Sequence, residues 1–143
     1  MRNWIEKNIE RYRVFGFGLW AVCLKSTGDM IGDCGLSMQN INGVILPEIG
    51  YHTAKAYQRQ GYTKEAAAAA RDWAFTHTPF GVVYSYMKKA NIPSAATAHA
   101  NGMKLLEEFT DSEGDQTAVY GINRAEWSSI TSEHRQLCTA AKK

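Results

Sequence analysis

The segment from Pro47 to Trp73 reads PEIGYHTAKAYQRQGYTKEAAAAARDW. Its first part, PEIGYHT, has strand-like content, and AKAYQRQG is typical of a loop. The remainder, TKEAAAAARDW, strongly favours a helix because alanine loses almost no side-chain entropy when a helix forms. The segment therefore predicts a strand, a loop and a helix that begins close to Gly61.

The residues at the start of this helix suit a phosphate group. A helix N-terminus carries unpaired N–H groups and a partial positive charge. Gly61 has no Cβ and would let a ligand approach the backbone, while Arg59 and Lys64 add full positive charges. The same residues also fit an ordinary connection with solvated basic side chains, so the loop alone leaves both interpretations open.

Length and composition indicate one soluble globular domain over residues 1–143. The chain is 45% hydrophobic and 21% charged, with a net charge of +2 that is too small to argue for a nucleic-acid partner. It contains no apolar run long enough to span a membrane, and its charged N-terminal segment is no signal peptide. We therefore expect a cytoplasmic protein without nucleic-acid or membrane partners.

Three cysteines, Cys23, Cys34 and Cys138, form no CxxC pair and have no metal-ligand spacing. This usage fits a reducing compartment, and no metal site is predicted. Cys23 and Cys34 fall within apolar strand patterns, which favours small core residues.

The remaining patterns predict an α/β (α+β) fold. Antiparallel strands precede a β–α–β crossover, so the sheet should be mixed and mostly antiparallel. On the Ala-rich helix, one face carrying Ala66, Ala69, Ala70 and Trp73 should bury against the sheet. The predicted elements are a helix over Asn3–Arg13, strands over Phe17–Lys25, Met30–Met38 and Leu46–Thr53 with a loop at Gln39–Val44, the Gly61–Phe75 helix, a strand over Val82–Met87, a helix between Asn91 and Asn101, strands over Lys104–Thr110 and Gln116–Asn123, a helix over Arg124–Leu137, and a frayed tail over 139–143.

Two motifs carry a resemblance to a known family. Gln58-x-x-Gly61-x-Thr63 resembles the pyrophosphate loop of the GNAT acetyltransferase superfamily, whose pattern is Gln/Arg-x-x-Gly-x-Gly/Ala. Thr63 departs from that pattern, and a small β-branched residue there either fits or crowds the phosphate. The segment from Asn91 to Met103 matches a second family motif, Asn-x-x-Ser followed by Gly-Met. The stretch EIGYHTAKAYQRQGYTKEA is similar to the subgroup that acetylates ribosomal-protein N-termini, and the resemblance covers about residues 5–127.

The resemblance implies a GNAT-like sheet with a gap in it. Strands Leu46–Thr53 and Val82–Met87 would be parallel neighbours that splay apart, and the pantetheine arm of acetyl-CoA would lie between them. The family's domain normally begins with a strand and a helix ahead of the helix predicted at Asn3–Arg13. We therefore expect a truncated gene, a fragment or a natural short form, with the exposed sheet edge covered by another subunit in a homodimer.

For the chemistry, the resemblance implies an N-acetyltransferase that moves an acetyl group from acetyl-CoA to a primary amine by direct attack in a ternary complex. The amine belongs to a protein N-terminus or a small molecule. Glu48 is the first candidate for the base; a paired or merely cleft-lining Glu is the alternative. Ser94 is expected to reach the leaving sulfur, because Ala98 stands where many members carry a tyrosine; helix capping is its alternative role. The expected cofactor-binding residues are Tyr51, His52, Thr53, Gln58, Arg59, Gln60, Gly61, Tyr62, Thr63, Asn91 and Ser94.

Two weaker candidates and two other functions stay open. His52 is a second candidate for the base, since histidine titrates near neutral pH, although a strand-end histidine is more typical of a surface. Tyr120 is a weaker candidate for the proton donor. A short or degenerate family member that holds CoA without transferring anything would show the same motifs, and an unrelated phosphate-binding or structural α/β domain is a third hypothesis.

Overall fold

The computed structural model describes residues 2–141, with side chains described as far as residue 132. No helix within residues 2–141 is both long and apolar enough to cross a membrane. The elements are α1 (Arg2–Phe15), β1 (Leu19–Cys23), β2 (Met30–Ile41), β3 (Val44–Thr53), a short 3₁₀ turn (Lys55–Tyr57), α2 (Tyr62–His77), β4 (Val82–Lys88), α3 (Ile92–Ala100), β5 (Lys104–Thr110), β6 (Gln116–Asn123) and α4 (Arg124–Ala141).

One six-stranded sheet in the order β1-β2-β3-β4-β6-β5 organises the chain. Strands β3 and β4 are parallel, and the four other neighbouring pairs are antiparallel. Helix α2 makes the crossover between β3 and β4. The predicted mixed, mostly antiparallel sheet with a central β–α–β unit is therefore confirmed.

The predicted loop at Gln39–Val44 is wrong, because strands β2 and β3 continue through it. Ile41 pairs with Val44, so that only Asn42 and Gly43 form the turn. Both have positive φ, 50° for Asn42 and 87° for Gly43. A two-residue hairpin needs this left-handed backbone to match the twist of the strands, and Asn-Gly adopts it at low cost.

The buried face of α2 is shifted by about one position along the sequence from the predicted face. Ala67, Ala70 and Ala74 are buried, whereas Ala69 is exposed and Ala66 is only partly buried. Positions 66–70 are all alanine, so the sequence holds no apolar–polar contrast from which the face can be read. The small side chains on the observed face let α2 pack closely on β2 and β3.

Two other expectations are corrected. Cys23 is exposed at the end of the edge strand β1, while Cys34 is buried as predicted. The helix α4 runs to Ala141, beyond its predicted end at Leu137, and the frayed tail over 139–143 stays a prediction. The side chain of Cys138 and residues 142–143 lie outside the described part of the chain.

Arg124, at the start of α4, forms hydrogen bonds with the C-terminal end of α2 and with the loop that follows it. Its guanidinium donates to the carbonyl oxygens of Phe75, Thr78 and Phe80 at 2.6, 2.9 and 2.8 Å. It also lies 5.1 Å from the centroid of the Phe75 ring. A planar cation with several fixed donors suits such a cluster of helix C-terminal carbonyls.

We expect Arg124→Met to lower the free energy of unfolding by about 2 kcal/mol, because it removes three charge-assisted hydrogen bonds and leaves carbonyls unpaired. Urea denaturation measures the change. Arg13→Met is the matched control, since Arg13 makes only an exposed ion pair with Glu10, and it should cost less than about 0.5 kcal/mol. Equal stability losses in the two variants would contradict the assignment.

Candidate active site

The start of α2 presents a row of unpaired amides. Gly61 is the N-cap and has a φ of 86°, and Arg59 also has a positive φ, of 63°. Within the described residues, the amides of residues 59–64 donate no hydrogen bond to the backbone or to a side chain. A Cβ added at Gly61 would meet no protein atom within 4 Å. The space in front of these amides is therefore open to a ligand.

Side chains brace this loop against the end of β3. Gln58 donates through Nε2 to the Thr53 carbonyl oxygen at 2.9 Å. The hydroxyls of Thr53 and Thr63 are hydrogen-bonded at 2.5 Å. The Thr63 hydroxyl is thus occupied by β3, and the residue that departs from the family pattern helps to fix the loop.

A cavity of about 640 Å³ lies between this loop, the end of β3 and the first turn of α3. Nine of the eleven predicted cofactor-binding residues line it. Gln60 and Tyr62 do not, and the side-chain Nε2 of Gln60 donates to the Ala56 carbonyl oxygen instead. The nine are Tyr51, His52, Thr53, Gln58, Arg59, Gly61, Thr63, Asn91 and Ser94, and Lys64 lines the cavity with them.

Helix α3 begins as the sequence predicted. The Asn91 side chain accepts a hydrogen bond from the Ser94 amide at 3.2 Å, and Pro93 lies in the first turn, where its missing N–H costs nothing. The Ser94 hydroxyl has no hydrogen-bond partner among the described residues. Its amide, not its hydroxyl, makes the capping contact.

A second cavity, of about 410 Å³, lies beside the first. Its lining includes Glu48, Gly50 and Tyr86. The two cavities share Tyr51 and Ser94, and the Tyr51 hydroxyl donates to the Ser94 carbonyl oxygen at 2.7 Å. These two residues therefore mark the junction of the cavities.

The cavities meet where β3 and β4 diverge. The two strands are in register at a single pair, Glu48 and Tyr84. Just beyond it, the Ser85 hydroxyl donates to the Ile49 carbonyl oxygen at 2.7 Å, so a side chain replaces a backbone donor. The predicted splaying of these strands is confirmed.

Glu48 is the buried ionisable group of the smaller cavity. The residue is 9% exposed, and no basic nitrogen of the described residues lies within ion-pair distance of its carboxyl group. Burial raises the pKa of Glu48 to about 8, against the opposing effects of the Tyr86 amide and the charge of Arg11. The structure therefore does not support the alternative in which Glu48 is paired with a basic side chain.

Gly50 makes room for this carboxyl group. A Cβ at Gly50 would lie 3.1 Å from the Glu48 Oε1 atom. Residues two apart on a strand share a face, so the Glu-x-Gly spacing could have predicted this contact. His52, by contrast, is exposed and lines only the larger cavity, and Tyr120 lines neither.

The geometry has its counterpart in known proteins. A family model for the acetyltransferase (GNAT) domain matches residues 1–104. The chain belongs to the GNAT acetyltransferase family. The sequence resemblance is thereby confirmed, and an unrelated phosphate-binding or purely structural domain is excluded.

Three similar proteins show how far the likeness extends. YkkB, an uncharacterized Bacillus subtilis protein, is 33% identical over 102 residues. The match covers 71% of this chain and 59% of YkkB, so the chain spans less than two thirds of that relative. An acetyltransferase from Agrobacterium tumefaciens is 27% identical with a TM-score of 0.72, covering 86% of this chain and 70% of its own. RimL, a ribosomal L7/L12 alpha-N-protein acetyltransferase solved with coenzyme A, has a TM-score of 0.69 at 19% identity, covering 85% and 70%, which shows a shared fold.

The raised pKa of Glu48 in this GNAT domain predicts a stability that falls as pH rises. The folded state holds the proton between the ordinary value of 4.5 and about 8, whereas the unfolded state has lost it. Stability is therefore highest below the lower value and decreases through this window. Glu48→Gln removes the dependence and should melt at least about 3 °C higher than the wild type near pH 8.5, but at nearly the same temperature near pH 5.

Calorimetry across that pH range tests this expectation. Glu107→Gln, at an exposed position on β5, is the control and should follow the wild type at each pH. A difference between Glu48→Gln and wild type that does not grow with pH would show that the carboxyl group is not buried as described.

Proposed function

We propose that this GNAT domain transfers an acetyl group from acetyl-CoA to a primary amine by direct attack within a ternary complex. One observation carries the proposal: two cavities, one beside unpaired amides and one around a buried carboxyl group, meet at Tyr51 and Ser94 where β3 leaves β4. A long carrier bound in the first cavity would deliver its reactive end into the second.

The larger cavity would hold the cofactor. The amides at the start of α2 would bind the pyrophosphate, with Arg59 and Lys64 adding positive charge. Gly61 leaves the backbone open to the phosphate oxygens. RimL was solved with coenzyme A, and the same fold here supports an acyl-CoA cosubstrate.

The thioester would lie at the junction of the cavities. Beyond Glu48, the edge of β3 has no paired residues on β4, so its backbone groups face the gap. Fixed N–H dipoles at that edge, around Tyr51 to Thr53, would polarise the acetyl carbonyl as negative charge develops on its oxygen.

Glu48 would accept the proton of the acceptor amine. In this step the amine nitrogen bonds to the acetyl carbon, the carbon–sulfur bond breaks, and one amine proton passes to the Glu48 carboxylate. A base with a pKa of about 8 is well matched to this transfer near neutral pH. The free hydroxyl of Ser94, which lines both cavities, would hydrogen-bond the leaving thiolate.

The test is release of free thiol from acetyl-CoA over a panel of small amines and of peptides with free N-termini. We expect kcat at saturating acceptor to rise with pH and to level off above about pH 8, because the base must be deprotonated in the ternary complex. Glu48→Gln should lower kcat at least about 100-fold and remove this pH step, while the Kd for CoA stays within about twofold of wild type. Glu107→Gln is again the control.

A blank without acceptor corrects for the protein's own cysteines, of which Cys23 is exposed. Tight CoA binding without thiol release by the wild type would support the non-catalytic CoA-binding alternative instead. An unchanged pH profile in Glu48→Gln would remove Glu48 from the mechanism.

A further inference from the structure

Ser94 is held by hydrogen bonds to both of its backbone groups. Its amide donates to the Asn91 side chain at 3.2 Å, and its carbonyl oxygen accepts from the Tyr51 hydroxyl at 2.7 Å. Its own hydroxyl bonds to nothing within the described residues. The backbone of Ser94 is thus fixed from two sides while the side chain stays available at the junction of the cavities.

The Tyr51 contact spans the gap in the sheet. Tyr51 lies on β3, three residues beyond the single β3–β4 pair, and Ser94 lies in the first turn of α3, which follows β4. Backbone pairing no longer connects the two sides at this level. The hydrogen bond between Tyr51 and Ser94 therefore connects the two sides, as backbone hydrogen bonds do where strands are paired. It leaves the backbone edge of β3 unpaired.

We propose that Tyr51 is a positioning residue, whose hydroxyl holds the first turn of α3 so that the Ser94 hydroxyl stays at the sulfur of the bound thioester. The inference rests on the proposed function. Tyr51 acts through Ser94 and does not itself take part in proton transfer. Because transfer rates depend steeply on the placement of reacting groups, loss of this bond should affect turnover more than cofactor binding.

Tyr51→Phe isolates the hydroxyl. The ring of Tyr51 packs against the core and is retained in the variant. We expect kcat to fall about tenfold, with KM for acetyl-CoA within about twofold of wild type. Tyr12→Phe is a matched control, since Tyr12 also donates to a backbone carbonyl, that of Leu19 at 3.1 Å, but lines neither cavity. It should have wild-type kinetics.

The double variant separates positioning from a general structural role. If Tyr51 acts through Ser94, then Tyr51→Phe should change kcat by less than about twofold when Ser94 is already alanine. Multiplying effects of the two substitutions, or a wild-type kcat in Tyr51→Phe, would overturn the inference while leaving the proposed function intact. A wild-type chain that releases no thiol would overturn the proposed function and this inference with it.

A second variant covers the case in which Tyr51→Phe does not fold. Asn91→Ala removes the other bond on the Ser94 backbone, at a cost in stability of about 1 kcal/mol. Asn91→Ala should also lower kcat several-fold when Ser94 is present, but not when Ser94 is already alanine. An undiminished kcat in Asn91→Ala would contradict the idea that the fixed backbone of Ser94 matters.

Discussion

The incomplete pairing of β3 with β4 is the constraint on which the rest of the structure depends. A parallel pair in the middle of a sheet would normally continue for the length of its strands, since unpaired backbone groups are costly when buried. Here it stops at Glu48 and Tyr84. The divergence is tolerated because side chains supply hydrogen bonds that the backbone of the partner strand would otherwise supply. The Ser85 hydroxyl donates to the Ile49 carbonyl oxygen, and the Tyr51 hydroxyl donates to the Ser94 carbonyl oxygen at the start of α3.

The same gap separates two electrostatic environments. On one side lie the amides at the start of α2, with the partial positive charge of a helix N-terminus and the basic residues Arg59 and Lys64. On the other side, burial raises the pKa of Glu48 to about 8, so its carboxyl group is mostly protonated at physiological pH. A positively polarised loop and a buried carboxyl group thus lie in two cavities that adjoin at Tyr51 and Ser94.

Local signals in the sequence predicted the elements well. Asn91 and Pro93 set the start of α3, and the Ala-rich run predicted α2, because capping and helix propensity act within a few residues. The five consecutive alanines do not show which face is buried, and Asn42-Gly43, which the sequence predicts within a loop, forms a hairpin turn. The buried face of α2 cannot be read from neighbouring residues, because all five are alanine. The hairpin turn depends on the twist of the paired strands, which the local sequence does not contain.

The site was predictable only in its motif residues. The resemblance to GNAT proteins pointed to Glu48, Ser94 and the loop around Gly61, and the structure brings all of them to the two adjoining cavities. The side-chain roles of Tyr51 and Ser85 were missed, because each bonds to a residue more than thirty positions away. The bracing of Thr63 by Thr53 was missed for a similar reason, since it appears only once α2 is packed beside β3.

The proposed function depends on the binding of a diphosphate by the unpaired amides at the start of α2. Amide NMR spectra recorded during titration with CoA, with ADP and with pantetheine test it most directly. CoA and ADP should both shift the amide signals of Gly61, Tyr62 and Thr63 more than any others in the described chain, and pantetheine should leave them unmoved. Largest shifts elsewhere, or equal shifts with pantetheine, would contradict it.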